Sequence, residues 1–328
     1  MMKRSWIAIG ILVLAAALFS AGLARKLVSV RSGDAPPRNV IMVIPKGVDS
    51  PWWNQVRLGA EAGLAGSGYR LNWTGPEQES DHARQIACIE EAQVRNAAAL
   101  VIAPNDSKAL VRPVMDAAKR MPCVIIDSPL ARSGGLPLVA TDNYAAGELA
   151  ARTAAHVVGG HGRILIVNHL RNSESTVERS RGFVATMRKE YPDIKLVEMP
   201  FEENLLRDVR RIVTDYLSRD PDIDAVFAVN LSTSEGAYRA ILNEGREGHL
   251  RLIAFDSSAP LLEGMRRGVV AAIIVQNPFE IGRRGVLRAL DVLKNGISGE
   301  AFTPIPVFVV DSSNQKEMER TYPDALGL

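Results

Sequence analysis

Cysteine is nearly absent from this chain: Cys88 and Cys123 are the two in 328 residues, and no Cys-x-x-Cys occurs. That excludes a disulfide scaffold and a dithiol redox motif. Both cysteines sit in apolar context, Cys88 in a helix-patterned segment and Cys123 in a strand-like one, and read as small core residues, with a single disulfide between them left open if the chain is exported. The histidines His82, His156, His161, His169 and His249 are scattered, so no metal-ligand cluster is expected. A phosphate-binding loop, a zinc-protease helix and a nucleophile elbow are all missing. With no nucleophile–base pair either, neither a cofactor nor an enzymatic activity is expected. Charge of one sign is lacking too. The 39 Lys and Arg offset 37 Asp and Glu, for a formal net charge of +2, and they are interspersed. No basic stripe for nucleic acid results. Aromatics amount to 5% of the chain, yet Trp52 and Trp53 are adjacent.

What is present begins at the N-terminus. Lys3 and Arg4 precede an uncharged run from Ser5 to Ala24, whose apolar heart is Ile7 to Phe19. Small residues at Gly22 and Ala24 complete the pattern of a secretory signal over residues 1–24, cleaved after Ala24. The competing reading retains residues 5–24 as a single-span membrane anchor, since about 20 uncharged residues just cross a bilayer. No cysteine follows the run to carry a lipid. Residues 25–38, polar and containing Gly33 and Pro36-Pro37, read as a linker. The expected location is therefore the periplasm, either free or anchored through residues 5–24.

From Asn39 onward, short β-branched runs alternate with amphipathic stretches. The runs are Val40–Ile44, Ala99–Ile102, Cys123–Ile126, Arg163–Val167, Ala225–Val229, Leu250–Phe255 and Ala271–Val275. Apolar runs without alternation suit strands buried on both faces. Helical stretches of about 10–18 residues separate them, which implies right-handed βαβ units and parallel sheets. Ser50-Pro51 is an N-cap and first-turn pair ahead of a helix over Trp52–Ala65; further helices are expected over Tyr144–Val158 and Ser180–Glu190. The cluster Gly63-x-x-Gly66-x-Gly68 falls at a helix end, so it terminates that helix rather than binding a dinucleotide. Each half repeats the same layout, and the length suits two lobes of about 100–150 residues. Leu138 to Asn143 reads as a crossover between them.

In parallel α/β sheets ligands lie beyond the carboxyl ends of the strands. Those positions hold Lys46, Asp49, Ser50, Trp52 and Trp53 after the first run, then Asp127 with Ser128, Asn230, Asp256 and Gln276; Arg179 sits at the expected start of a helix. Carboxylates, amides and a guanidinium offer paired hydrogen bonds to neighbouring hydroxyls, and indole faces cover C–H patches of a sugar ring. Asp127, Asp256 and Asn230 read equally as helix caps. The tryptophans also suit a core, although adjacent helical residues point about 100° apart and cannot share one narrow stripe.

These residues carry a resemblance. Ser-Pro-Trp-Trp53, Ala-Pro-Asn-Asp106, Val-Ile-Ile-Asp127, Ala-Thr-Asp-Asn143, Glu-Arg-Ser-Arg-Gly-Phe183, Val-Phe-Ala-Val-Asn230, Ala-Phe-Asp256 and Ile-Val-Gln-Asn-Pro-Phe279 occur in this order. The chain thereby resembles the ribose-binding-like branch of the periplasmic sugar-binding proteins of ABC transporters, the type I periplasmic binding fold. The resemblance implies an α/β fold of two Rossmann-like lobes with parallel central sheets, joined by a three-crossing hinge. It places residues 39–140 plus 277–306 in an N-terminal lobe and residues 141–276 plus 307–328 in a C-terminal lobe, with Asp142 at the hinge. It implies stacking by Trp52 and Trp53, with Phe255 as a further aromatic contact. Polar contacts would come from Asp127, Arg179, Asn230, Asp256 and Gln276, beside Lys46 and Ser50.

Where ribose binders carry Arg after the carboxylate, this chain has Ser128; Ala103 replaces a contact amide, and Trp52 and Trp53 replace two phenylalanines. Each unpaired hydroxyl would cost about 1–3 kcal/mol. The departures point away from ribose and leave open a different sugar, a sugar acid or a non-sugar polyol. The implied function is capture of a small carbohydrate-like ligand by a monomer that delivers it to an ABC transporter permease. The alternative is a membrane-tethered ligand sensor for a chemoreceptor or histidine kinase. A transcription regulator on the same two-lobe fold would need a helix-turn-helix ahead of the first strand, where an apolar segment stands instead.

Overall fold

A computed structural model describes residues 38–201 and 209–326. The signal or anchor over residues 1–24, and the linker up to residue 37, lie outside the described residues. Asn39–Leu328 is one compact unit, and every element below belongs to it. In chain order these are β1 (Val40–Ile44), α1 (Pro51–Leu64), β2 (Arg70–Trp73), α2 (His82–Val94), β3 (Ala99–Ile102), α3 (Val111–Ala118), β4 (Cys123–Ile126) and β5 (Leu138–Thr141). The second half adds α4 (Asn143–Val157), β6 (Gly162–Val167), α5 (Glu174–Glu190), β7 (Ile194–Glu198), α6 (Val209–Arg219), β8 (Ala225–Ala228), α7 (Leu231–Asn243), β9 (Arg251–Phe255), α8 (Ala259–Arg266) and β10 (Val270–Val275). The chain closes with α9 (Pro278–Asn295), β11 (Phe302–Ile305), β12 (Phe308–Asp311), α10 (Gln315–Thr321) and α11 (Pro323–Leu326).

Two six-stranded sheets result, ordered β11-β5-β4-β3-β1-β2 and β12-β10-β9-β8-β6-β7. All neighbours pair in parallel except β12, which runs antiparallel to β10. The same order read twice is the internal duplication. β3, β4 and β8 are buried at every residue, as apolar runs covered by helices on both faces require. One core lies on each face of each sheet. The chain passes between the sheets three times: at Asp142, at Gln276–Asn277, and between β11 and β12.

Local chemistry sets the helix ends. Ser50 caps α1 by accepting from Trp52 N, and the left-handed Gly66 and Gly68 turn the chain after it, so the glycine cluster is a terminator. Asp142 caps α4 by accepting from Ala145 N. The α5 helix begins at Glu174, six residues ahead of the expected Ser180, so Arg179 lies in its second turn rather than at its start. Its N-cap residue Ser173 makes no side-chain cap bond; its hydroxyl accepts from Lys46 instead.

Each lobe contains one helix pair packed through reciprocal glycines. A Cβ on Gly59 of α1 would stand 1.9 Å from the Phe279 carbonyl oxygen, and one on Gly282 of α9 would stand 1.9 Å from that of Val56. In the other lobe the same holds for Gly147 of α4 against Arg179 O at 2.1 Å, and Gly182 of α5 against Tyr144 O at 2.2 Å. Backbones this close admit no side chain. The pairing presses α5, and with it Arg179, onto the second sheet. Cys88 and Cys123 are free and buried. Among the described residues no helix is long and apolar enough to cross a membrane.

Candidate ligand-binding cleft

A cavity of about 650 Å³ opens where the carboxyl ends of both sheets meet. Two aspartates mark its symmetry. Asp127 N donates to Val139 O (3.0 Å) and Asp256 N to Ile274 O (2.9 Å), so each residue extends its strand by one rung beside the next strand. Both then turn in the left-handed region, at φ 62° and 63°. Aspartate tolerates that turn better than most residues because its short side chain bonds locally. The turn aims both carboxylates into the cavity, one from each lobe.

Asp127 is matched by Lys46, whose Nζ lies 2.6 Å from its Oδ2. The same ammonium reaches Ser128 Oγ at 2.7 Å, Ser175 Oγ at 3.0 Å and Ser173 Oγ at 3.2 Å. A cation thus does stand beside Asp127 despite Ser128 occupying the position of the ribose binders' arginine. It arrives from the end of β1, and it ties the first lobe to the start of α5 in the second. Asp256 accepts on Oδ1 from Gln276 Nε2 (2.9 Å) and from Trp52 Nε1 (3.1 Å). The second of these bonds crosses between lobes. Burial raises the Asp256 carboxyl above its usual range, against the opposing pull of Arg179. Further bridges run from Ser107 Oγ to Glu174 Oε2 (3.2 Å) and from Asn172 Nδ2 to Asp106 Oδ2 (2.8 Å).

Arg179 is buried and held at fixed points: Nε donates to Asn143 Oδ1 (2.9 Å) and Nη1 to Val229 O (3.0 Å). Its guanidinium lies 4.0 Å from the centroid of the Phe255 ring. Burial lowers its pKa, with Asp256 and Asp127 opposing. Phe255 therefore does not line the cavity; it is fully buried beneath Arg179 and supports that side chain instead. The reason is the strand pleat, which points Phe255 into the same core face as Ile253, whereas Asp256 is turned toward the cleft by its left-handed backbone.

The paired tryptophans divide their tasks. Their rings meet edge to face, centroids 4.6 Å apart at 82°, so one flat ligand ring cannot stack on both. Trp53 lines the cavity as well, but most of its ring belongs to the core beside β1, and it donates to Glu79 Oε1 at 2.7 Å. Trp52 is the half-buried one, its indole crossing to Asp256. Ser50 and Asn230 line the cavity while capping α1 and α7; Asn230 forms a capping box with Thr233. Gln276 keeps its Oε1 without a partner.

The structure adds Glu79, His169, Ser173, Ser175 and Thr176 to the lining. Glu79 sits in a turn with no apolar run to flag it; burial raises its pKa, with Lys46 opposing. His169 was legible in principle, because it follows β6 as Lys46 follows β1. No metal-binding cluster of His, Cys, Asp and Glu occurs among the described residues.

This geometry of duplicated parallel sheets, three chain crossings between them and a polar cleft has counterparts. A family profile described as periplasmic binding protein domain matches residues 41–297. The chain belongs to the periplasmic binding protein family. It is 26% identical over 280 residues to the ribose import binding protein RbsB of Haemophilus influenzae, covering 85% of this chain and 94% of that one. Among solved structures it is similar to a carbohydrate transporter solute-binding protein from Agrobacterium radiobacter in complex with D-arabinose. That structure has a TM-score of 0.82 and 29% identity, over 89% of this chain and 98% of the other. An ABC transporter solute-binding protein from Agrobacterium vitis with bound D-fucose gives a TM-score of 0.81 at 31% identity, over 88% and 99% of the two chains.

Proposed function

We propose that this periplasmic binding protein captures a monosaccharide-sized polyhydroxylated ligand between its lobes and delivers it, as a monomer, to an ABC transporter permease. The observation that carries the reading is the pair Asp127 and Asp256, which enter one cavity from opposite lobes at equivalent strand ends. A ligand bonded to both stabilises the closed arrangement by contacts the open one lacks, and closure then presents a composite surface to a partner. The cavity volume falls within the range of about 300–1,000 Å³ usual for small-molecule sites.

In this reading residues 39–140 with 277–306 move as one body and residues 141–276 with 307–328 as the other, about a hinge that includes Asp142. Lys46, Ser50, Trp52, Asp127, Arg179, Asn230, Asp256 and Gln276 face the ligand, Trp52 offering the ring surface. Trp53 shapes the wall through its edge. The sugars present in the similar solved structures, D-arabinose and D-fucose, support the ligand class.

Native mass spectrometry of the protein purified without refolding, followed by calorimetry with D-ribose, D-arabinose, D-fucose and D-allose, tests it. A co-purified mass matching a monosaccharide, or micromolar binding of one of the four, is the expected result. Binding of none, with no adduct, overturns the reading.

A further inference from the structure

Lys46 and His169 stand at equivalent points of the two lobes. Thr74 N donates to Val43 O and Met199 N to Ile166 O; Ala103 N donates to Ile44 O and Val229 N to Val167 O. The ladders make Ile44 the counterpart of Val167, and two residues further on lie Lys46 and His169. Lys46 is saturated by Asp127 and three serines. His169 is 1% exposed, lines the cavity, and has no partner on either ring nitrogen.

A buried polar group left unpaired costs about 1–3 kcal/mol. A neutral imidazole presents one donor and one acceptor, the complement of a hydroxyl. Burial, then the nearby charges of Lys46 and Arg179, hold His169 neutral. The surrounding charge points the same way. Asp49, Glu77, Glu79, Asp127, Glu235 and Asp256 line the cavity against Lys46 and Arg179. Lys46 already faces a carboxylate, and Arg179 is bonded to Asn143 and Val229. A ligand carboxylate would meet more carboxylates than cations, with Arg179 Nη2 the one cationic donor group of the lining left unengaged.

We propose that His169 hydrogen-bonds the ligand directly and that the site takes uncharged polyhydroxylated ligands while rejecting the corresponding sugar acids. The inference rests on the capture reading and narrows it. Calorimetry on the full protein tests it with D-ribose, D-arabinose, D-fucose and D-allose against D-arabinonate and D-galacturonate, using wild type, His169→Phe and His169→Asn. Imidazole resonances of the wild type, recorded with and without the best-bound sugar, supply a readout that needs no variant to fold. His169→Phe should weaken the best-bound sugar by at least about tenfold, His169→Asn should recover part of that loss, and the acids should bind at least about 100-fold more weakly than the neutral sugars. The His169 resonances should shift on sugar addition without the imidazole becoming protonated. Unchanged affinity in His169→Phe, unmoved His169 resonances, or an acid bound as tightly as a neutral sugar each overturns it while leaving sugar capture standing. Failure of wild type to bind any neutral sugar overturns the capture reading, and this inference with it.

Discussion

Lys46 Nζ lies 2.6 Å from Asp127 Oδ2, with both side chains only 4% exposed. Two charges removed from water stabilise the protein only while each has its partner. Lys46→Met should therefore leave a buried carboxylate uncompensated and cost about 3–5 kcal/mol in urea unfolding. Adding Asp127→Leu should recover much of that loss, whereas two additive losses would show that the residues are not coupled.

The tryptophans should separate stability from binding. Trp53 is 2% exposed within the first-lobe core, so Trp53→Ala should cost about 3–5 kcal/mol in denaturant unfolding. Trp52 is half-buried and bonds Asp256 across the cleft. Trp52→Ala should cost less stability and weaken sugar binding by at least about tenfold, an interaction loss of about 1.4 kcal/mol. Equal effects of both variants on both quantities would contradict the division.

The reciprocal glycines give a test confined to packing. At Gly59 an added Cβ would lie 1.9 Å from a backbone oxygen, and at Gly147 one would lie 2.1 Å from another. Backbone cannot yield as a flexible side chain does, so the helix pair must separate. Gly59→Ala and Gly147→Ala should each destabilise by about 1–3 kcal/mol despite alanine's better helix propensity. A gain in melting temperature for either would contradict the described packing.

His169 predicts a pH signature. Burial foremost, with Lys46 from the end of β1 and Arg179 from α5, pushes its pKa down to about 3, against about 6.5 in an unfolded chain. Between those values the unfolded chain binds a proton that the folded one refuses. Stability from this group is therefore intact above about pH 6.5 and is lost as pH falls toward 3. Glu79 and Asp256, whose pKa values are raised, act in the opposite sense in both proteins and drop out of a comparison. The stability of wild type relative to His169→Phe should decline from pH 7 to pH 4; a difference independent of pH would contradict a buried neutral imidazole.

The strands legible in the sequence were those buried on both faces, because continuous runs such as Ala99–Ile102 and Cys123–Ile126 need no alternation to stand out. The edge strands β2, β7, β11 and β12 were not. Arg70–Trp73 and Ile194–Glu198 are part exposed and carry mixed polarity, so their patterns match the surrounding turns. The inner strand β5 read as a crossover, which its last residue in fact adjoins. At the site, strand-end residues were readable because topology dictates where ligands go. Phe255 failed by one residue of pleat, and Arg179 is reached through a helix that begins earlier than its apolar pattern. Glu79 and the serines of α5 lie in polar segments where only the tertiary arrangement gives them a role.

The central claim is that a sugar closes the lobes through contacts from both. Small-angle scattering of the purified protein, with and without its best-bound sugar, measures this directly when paired with Asp256→Ala. The radius of gyration should fall on sugar addition in the wild type and stay unchanged in the variant at the same sugar concentration. No compaction in the wild type, or equal compaction in Asp256→Ala, would contradict the account.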